Sequence, residues 1–386
     1  MDWPLRDSIS TVTSSEAAIE STAGTVTSTA STAPSSKGIG VPMIPESEIL
    51  RCPPLAALCF RSIDAKSGTE SILGDKYAAE LADRLNITSS RLGTKPDLAS
   101  ELMCLRAMIV DVYCLKFADA HHDETGCTIL NLTTGFDTRF LRLKSRPHVR
   151  WVEVDSPEFT HMRQRVFPPS GHLYRTRTPY QVSSATSLPP APTTPATPHY
   201  DEKMDNDKEQ NPVLELAVAD LADTDSWLPS VPADRPTLVL MEAGAWMTPR
   251  ADFTHIMRSV VDHFAAHGGR LVFDVMSRLN ALMFRYKAIP PIRMFTFKIE
   301  WHCEDADALG AEIHPRLRYL EKKGYHDATT EDNEEWMPNF YGGKLRSRLL
   351  NKMPGFSSGL RLLFYEFPAL AATGEVVPEL IERERA

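Results

Sequence analysis

Short apolar runs, separated by segments long enough to form helices, make up the middle of the chain. Five of these runs stay apolar at successive positions instead of alternating with polar residues: CTILNL at 127–132, VRWVEVD at 149–155, LELAVAD at 214–220, TLVLME at 237–242 and RLVFDV at 270–275. Continuous runs of this kind are typical of parallel strands that are buried on both faces. Strands that alternate with helices predict an α/β sheet with helices on both of its faces.

Two segments near the C-terminus extend this pattern. GYHDATTED at 324–332 and GLRLLFYEF at 359–367 have the composition of strands, and we expect them to pair with each other at one edge of the sheet. The complete sheet would then contain seven strands, most of them parallel.

A long amphipathic helix is predicted upstream of the first strand. Asp97 is a suitable N-cap for LASELMCLRAMIVDVYCLKFADA. An apolar stripe follows at spacings of three and four: Leu102, Leu105, Ile109 and Val112. Arg106 falls inside this stripe, so its guanidinium faces the core and needs an anionic partner.

Two stretches of biased composition bound the folded part of the chain. Residues 1–42 are rich in Ser, Thr and Ala with few large apolar side chains, and they are predicted to be a disordered tail. The Pro-rich and then charged stretch at 175–212 separates the second and third strands of the pattern. We interpret it as a loop inserted into a single domain that covers residues 43–386.

Composition and charge exclude several classes of protein. The net charge of -9 over 386 residues is spread along the chain, which argues against a nucleic-acid partner. No apolar run reaches about 18 residues, so no membrane span is expected. The six cysteines show no zinc-like spacing, and we expect no metal site and reduced thiols in a cytoplasmic protein.

The candidate chemistry lies at the ends of the strands, because ligands of open α/β sheets bind beyond the carboxyl ends. Gly135 follows the first strand, Asp155 ends the second, Asp220 ends the third and Glu242 ends the fourth. Asp155 lies 20 residues after Gly135, the spacing at which a carboxylate often binds ribose hydroxyls. Capping of the following helix or turn explains Asp155 equally well, and explains Asp220 better. Glu242 follows a buried run and needs a partner.

The first two strands and the turns that follow them resemble a known family signature. LNLTTGFDTRFLRL followed by VRWVEVDSPE resembles the first signature of the leucine carboxyl methyltransferase family, including its polyketide O-methyltransferase branch, in which NLGAGLDTR is followed by EVD and Pro. Further pieces occur in the same order as in the family: GDKYAAEL, LRAMIVD, AVADLAD and LVLMEAGAWMTP. The resemblance extends from about residue 70 to 366.

The resemblance implies a Rossmann-like class I methyltransferase fold, with an N-terminal helical region, a lid at 276–301 and S-adenosylmethionine as cofactor. It also implies the positions that hold this cofactor: Arg106 on the methionine carboxylate, Thr133 and Gly135 beside the methionine moiety, Asp155 on the ribose, Asp220 with Leu221 on adenine, and Glu242 close to the cofactor under the acceptor cavity. The core-facing arginine would thus find its anionic partner in the ligand.

This chain departs from the family pattern at two places. The family's Gly-Ala-Gly becomes Thr133, Thr134 and Gly135, which puts a β-branched side chain where backbone is expected to approach the cofactor. The family's Gly and Tyr after the fourth-strand glutamate are also replaced, with Ala243 at the first position and residues 246–248 altered.

The leading hypothesis is an S-adenosylmethionine-dependent O-methyltransferase that acts on a small molecule such as a polyketide-like secondary metabolite. Two alternatives remain: carboxyl methylation of a protein C-terminal leucine, and a pseudoenzyme that serves as a binding partner. A phenolic acceptor would benefit from a general base, whereas a carboxylate would not. His172, Tyr286, His302 and His326 are of a suitable type, but a surface or core role fits each of them better, and none is assigned as catalytic. The oligomeric state is not predicted.

Overall fold

The computed structural model describes residue 49 and residues 51–68, 71–87, 97–122, 125–143, 146–166, 174–177, 214–287, 298–325 and 359–370. The predicted tail at 1–42, most of the insertion at 175–212, His172 and His326 lie outside these residues.

Helices and strands alternate through the described residues. The helices are α1 (Pro53–Ala65), α2 (Lys76–Arg84), α3 (Leu98–Ala120), α4 (Arg139–Arg142), α5 (Pro157–Val166), α6 (Thr224–Trp227), α7 (Arg250–His263), α8 (Arg278–Arg285) and α9 (Ala306–Ile313). The strands are β1 (Cys127–Leu132), β2 (Val149–Asp155), β3 (Tyr174–Arg177), β4 (Leu214–Val218), β5 (Thr237–Met241), β6 (Gly269–Met276), β7 (Arg318–Gly324) and β8 (Leu360–Phe367).

The strands form one mixed sheet in the order β3-β4-β2-β1-β5-β6-β8-β7. All pairs among strands β1 to β6 are parallel, and β8 runs antiparallel to both β6 and β7. The predicted Rossmann-like class I methyltransferase fold is thereby confirmed. The sheet contains one strand more than expected, because the short edge strand β3 lies at the start of the stretch that was predicted to be an inserted loop.

The sheet separates two layers of apolar side chains, as the continuous apolar runs predicted. Ile129 and Leu240 face the layer that contains α1, α2 and α3, whereas Leu130 and Met241 face the layer that contains α7 and α9. Each central strand is therefore buried on both faces, so its neighbours fix its position and the loops at its end.

Two details of the sequence prediction need correction. Most of the strand expected at 324–332 lies outside the described residues, and the strand that pairs with β8 is β7, formed by the charged segment RYLEKKG at 318–324. Its charged residues remain exposed at the sheet edge, so the strand lacks an apolar pattern. Helix α3 begins after the Asp97 cap as predicted, with the Asp97 carboxylate accepting from the Ser100 amide at 2.9 Å, but its buried face is wider than the predicted stripe.

The register of the parallel strands aligns their carboxyl ends. Leu132 of β1 pairs with Val154 of β2 and with Met241 of β5. The residues that follow directly, Thr133, Asp155 and Glu242, therefore lie side by side, since neighbouring strands are about 4.8 Å apart. Strand order reverses between β1 and β5, which is the point where open α/β sheets bind ligands.

Helix α1 packs directly over the turn that follows β1. Gly135 has a φ of +52°, and a Cβ atom added there would lie 2.5 Å from the Cβ of Pro54. The turn therefore needs glycine for two reasons, the left-handed backbone and the close approach of α1.

We expect Gly135→Ala to lower the free energy of unfolding by more than the roughly 1–2 kcal/mol of a left-handed alanine, because the methyl group overlaps Pro54. Gly68→Ala is a matched control, since Gly68 has a φ of +67° and open space around its Cα. Equal losses in the two variants, measured by denaturant unfolding, would show that the α1 contact contributes nothing.

Candidate functional site

A cavity of about 310 Å³ opens at the carboxyl end of the sheet. Six of the seven predicted cofactor residues line it: Arg106, Thr133, Asp155, Asp220, Leu221 and Glu242. Gly135 lies behind the wall, where its amide donates to the Asp155 carboxylate. These residues come from five separate segments and meet around one cavity of the size of a small-ligand site.

Asp155 links the ends of the first two strands. Its Oδ2 accepts from the Gly135 amide and, at 3.4 Å, from the Thr134 hydroxyl, and its Oδ1 accepts from the Ser156 amide at 2.7 Å. Burial raises the pKa of this carboxyl to about 6, although these hydrogen bonds act in the opposite direction. Asp155 therefore organises the turn after β1, in addition to facing the cavity.

Asp220 serves as the turn residue that the sequence suggested and also faces the cavity. Its Oδ1 accepts from the Ala222 amide at 3.1 Å, while its side chain is exposed at the cavity rim. Leu221 follows it, and Ile256 of α7 lines the same part of the wall. This end of the cavity combines an acidic rim with an apolar wall.

Two residues that lack glycine's freedom line the cavity in left-handed conformations. Thr133 has a φ of 56° and Ala243 a φ of 58°. The family pattern has glycine at these two positions, and glycine adopts such a conformation without strain. The Thr133 side chain fills the space next to Gly244, where an added Cβ would lie 2.3 Å from the Thr133 Oγ1. Such strain is held by the surrounding structure and is common at ligand sites.

Arg106 finds its anionic partners within the protein. Its Nε donates to Glu242 Oε2 at 3.1 Å, and its Nη1 donates to Asp274 Oδ2 at 3.1 Å. The pairing of Arg106 with a ligand carboxylate stays a prediction, and the structure adds two carboxylates of the protein itself as partners of this guanidinium, which lines the cavity. The partners could not be read from the sequence because they are 136 and 168 positions away.

Glu242 lies between two guanidiniums. Besides Arg106, it accepts from Nη2 of Arg139, a residue at the first position of α4 that is 1% exposed. Arg139 also donates to Asp111 at 2.6 Å and to Asp137 at 2.5 Å. The carboxylate that needed a partner at the end of β5 is thus fixed in one orientation at the cavity wall.

The N-terminal helices are joined to the same network. Arg61 of α1 donates to the Phe136 carbonyl at 2.8 Å and lies 3.3 Å from Asp137, and Asp75, the N-cap of α2, accepts from Thr138. Arg142 contacts Asp75 at 3.3 Å and Asp111 at 2.5 Å. Burial alone would raise the pKa of Asp137, but the surrounding guanidiniums hold it well below its usual range.

Several residues of this network were not predicted as site residues, although Asp137 and Arg139 belong to the first signature of the resemblance: Arg61, Asp75, Asp111, Asp137, Arg139, Arg142 and Asp274. Some of them lie within motifs that carried the resemblance, in GDKYAAEL, LRAMIVD and GFDTR. Charged residues at fixed places within such motifs were the available signal. Asp274 had a weaker signal, as the one acidic residue within the apolar run RLVFDV.

Two of the candidate bases, His302 and Tyr286, are among the described residues, and neither lines the cavity. The described part of the predicted lid at 276–301 does not line it either. His302 is exposed, and Tyr286 is 73% exposed on the segment after α8. All six cysteines are buried free thiols. Within the described ranges, no group of three His, Cys, Asp or Glu side chains is arranged to hold a metal ion. None of the helices described has the length and apolar character needed to cross a membrane.

Part of the chain matches a known protein family. The model of the leucine carboxyl methyltransferase family matches residues 56–187. The match includes the first signature and the two upstream segments, so the resemblance is confirmed over that region. The later segments, which contain Asp220 and Glu242, lie beyond the match.

Two curated proteins are similar over most of the chain. An S-adenosyl-L-methionine-dependent methyltransferase, dpfgK, of Gibberella zeae is 24% identical over 298 residues, which cover 74% of this chain and 86% of the relative. The tetracenomycin polyketide synthesis O-methyltransferase TcmP of Streptomyces glaucescens is 24% identical over 313 residues, covering 81% of this chain and 95% of the relative.

Among solved structures, a DUF574 family protein from Streptomyces avermitilis aligns with 80% of this chain and 97% of its own length. Its sequence identity is 12% and its TM-score is 0.41. The fold assignment rests on the strand order and register described above.

We expect Ala243→Gly to raise the free energy of unfolding by up to about 1 kcal/mol, because relief of the left-handed strain, roughly 1–2 kcal/mol, exceeds the entropy cost of glycine, roughly 0.5–1 kcal/mol. Ala245→Gly is the control, since Ala245 lies in a 3-10 turn and is fully buried. That variant should be destabilised in the same denaturant titration. A loss of stability in both variants would contradict the strain at Ala243.

Proposed function

This chain is an S-adenosylmethionine-dependent methyltransferase whose residues 56–187 match the leucine carboxyl methyltransferase family, and we propose that it methylates an oxygen of a small molecule. The observation that carries the proposal is the alignment of the ends of β1, β2 and β5, which brings Thr133, Asp155 and Glu242 to one cavity. The acidic end of β4 completes this arrangement.

The chemistry of the donors and acceptors in the cavity wall fits this cofactor. Asp155 offers a carboxylate to ribose hydroxyls, Leu221 and Ile256 offer apolar surface to adenine, and Arg106 and Glu242 offer opposite charges to the carboxylate and ammonium groups of a methionine moiety. Arg106 and Glu242 form an ion pair at 3.1 Å, so the two opposite charges lie next to each other in the cavity wall. We therefore assign these residues, with Thr133 and Asp220, to the cofactor site.

The remaining wall of the cavity supports an apolar acceptor. Its apolar part is formed by side chains of α1, α3 and the turn after β5: Pro53, Pro54, Ala57, Met103, Ala107 and Met247. Methionine side chains adapt to irregular apolar shapes. The relative TcmP is an O-methyltransferase of polyketide synthesis, and a planar, largely apolar acceptor of that kind suits this wall.

Methyl transfer is an in-line displacement, so alignment of the acceptor oxygen and exclusion of water provide most of the rate acceleration. The cofactor supplies an electrophilic methyl group when it is bound. Helix α1 closes the cavity above the turn after β1, and Arg61 holds it there through the Phe136 carbonyl. The buried pairs of Arg106, Glu242 and Arg139 keep the opposite wall rigid. No side chain is assigned to take the acceptor proton.

Asp155 gives the cofactor site a testable pH dependence. Its pKa of about 6 lies above the usual carboxyl value, so the side chain is neutral below pH 6 and ionised above it. Since hydroxyl groups donate to the ionised form, we expect the Kd for S-adenosylmethionine to rise as pH falls from 7 to 5, by up to about tenfold per pH unit below pH 6. Calorimetry across this range gives the profile.

Asp155→Asn is the matched variant, because it keeps the shape of the side chain and removes the titration. It should bind more weakly at pH 7 and show a flat profile. Arg106→Ala should also weaken binding at pH 7. Unchanged affinity in both the Asp155 and Arg106 variants would contradict the assigned cofactor site.

The acceptor class is tested with S-adenosylmethionine labelled in its methyl group. We expect the label on phenolic polyketide-like compounds and none on a peptide that ends in leucine. The product analysis separates methyl ethers, which form from phenols, from methyl esters, which form from carboxylates. Transfer to the peptide carboxylate, released by mild base, would establish protein carboxyl methylation instead. Binding of cofactor without transfer to either class would contradict the proposed small-molecule activity.

A further inference from the structure

A fully buried carboxylate stands directly behind the cavity wall. Asp274 of β6 is next to Glu242 in the sheet register, because Met241 pairs with Phe273. It is 0% exposed. Its Oδ2 accepts from Nη1 of Arg106 at 3.1 Å, and its Oδ1 accepts from the amide of Ala243 at 2.7 Å. One side chain therefore holds both the arginine of the cavity and the left-handed residue that follows Glu242.

A second buried group fixes this carboxylate. The hydroxyl of Tyr325, which is 1% exposed and follows the end of β7, donates to Asp274 Oδ2 at 2.8 Å. The same oxygen thus accepts from Tyr325 and from Arg106. Neither Asp274 nor Tyr325 is among the residues that line the cavity, so neither is expected to touch a ligand there.

We propose that Asp274 and Tyr325 are positioning residues that set the direction of the Arg106 guanidinium for binding of the methionine end of the cofactor. The proposal rests on the cofactor site assigned above and adds residues that lie behind it. The Tyr325 hydroxyl reaches the guanidinium that lines the cavity through the Asp274 carboxylate, and it also interacts with that guanidinium directly.

The physical reason is the freedom of the arginine side chain. An arginine on a helix has many rotamers, and binding through it is weakened if the rotamer has to be selected by the ligand. A carboxylate on a central strand has little freedom, and a tyrosine hydroxyl bonded to it restricts it further. Glu242 alone would leave the guanidinium free to turn about its Nε contact.

Asp274 also stabilises the left-handed backbone at Ala243, which the ion pair between Arg106 and Glu242 does not contact. The Ala243 amide donates to Oδ1 of Asp274. A change at this carboxylate therefore displaces both the residue that follows Glu242 and the arginine that is paired with Glu242. A displacement of about 1 Å in a group that aligns a reactant can lower a rate about a hundredfold, and the same misplacement weakens binding of that reactant.

The test compares two tyrosine variants that each lose one hydroxyl hydrogen bond. Tyr325→Phe removes the bond to the Asp274 carboxylate, and Tyr365→Phe removes a bond of similar length, from the Tyr365 hydroxyl to the Ala306 carbonyl at 2.7 Å. Tyr365 is fully buried and does not line the cavity. Both variants should lose thermal stability without ligand, and Tyr325→Phe should lose more because its bond goes to a charged group.

We expect Tyr325→Phe to raise the Kd for S-adenosylmethionine about three- to tenfold in calorimetry, less than the full loss of one hydrogen bond to a charged group because Tyr325 acts on the ligand only through Arg106, while Tyr365→Phe leaves it at the wild-type value. Equal Kd values in both variants, or an equal rise in both, would overturn the positioning role. If the wild type itself does not bind, the assigned cofactor site fails together with this proposal.

Asp274→Asn provides an independent variant. The amide keeps the size of the side chain and an oxygen for the Ala243 amide, but it removes the negative charge beside Arg106. We expect a rise in Kd of about tenfold or more, with Tyr325→Phe adding less in this background than in the wild type, because both act through the same group. Additive effects of the two substitutions would contradict the path from Tyr325 through Asp274.

Discussion

Burial of several guanidiniums beneath one cavity is the constraint on which the rest of this site depends. An unpaired buried charge is so costly that removing one partner of a buried pair typically costs about 3–5 kcal/mol. The chain meets this constraint with a connected set of charges: Arg61, Arg106, Arg139 and Arg142 against Asp75, Asp111, Asp137, Glu242 and Asp274. Because the set draws on α1, α3, α4 and the ends of several strands, forming it fixes the relative positions of these elements.

The same constraint explains how the turns around the cavity tolerate the loss of glycine. Ala243 keeps a left-handed backbone while its amide is held by Asp274, and Thr133 keeps one beside Gly244. Glycine was retained at Gly135, where α1 approaches so closely that no Cβ fits. Backbone strain at the first two positions is thus local and is stabilised by neighbouring bonds, whereas at Gly135 the contact itself forbids substitution.

Contacts within the protein itself hold the charged wall of this cavity in place. Arg106 and Glu242 already neutralise each other's charge in part, so a zwitterionic amino-acid group would exchange or share existing partners rather than supply missing ones. Asp155 is different, since its raised pKa shows a carboxylate that burial disfavours in the ionised state, and hydroxyl donors would favour that state. Ligand recognition therefore combines a rigid charged wall with one carboxylate that responds to pH.

The sequence by itself determined the fold class and six residues of the cavity wall at the ends of the strands and on α3. Continuous apolar runs can be satisfied only by strands buried on both faces, and the residues after those strands meet because parallel strands end at the same edge. It did not determine the partners of Arg106, the position of β7 or the bonds of Asp274. These depend on contacts between residues more than a hundred positions apart, on an edge strand whose charged side chains conceal its pattern, and on the sheet register, which only the packed tertiary structure decides.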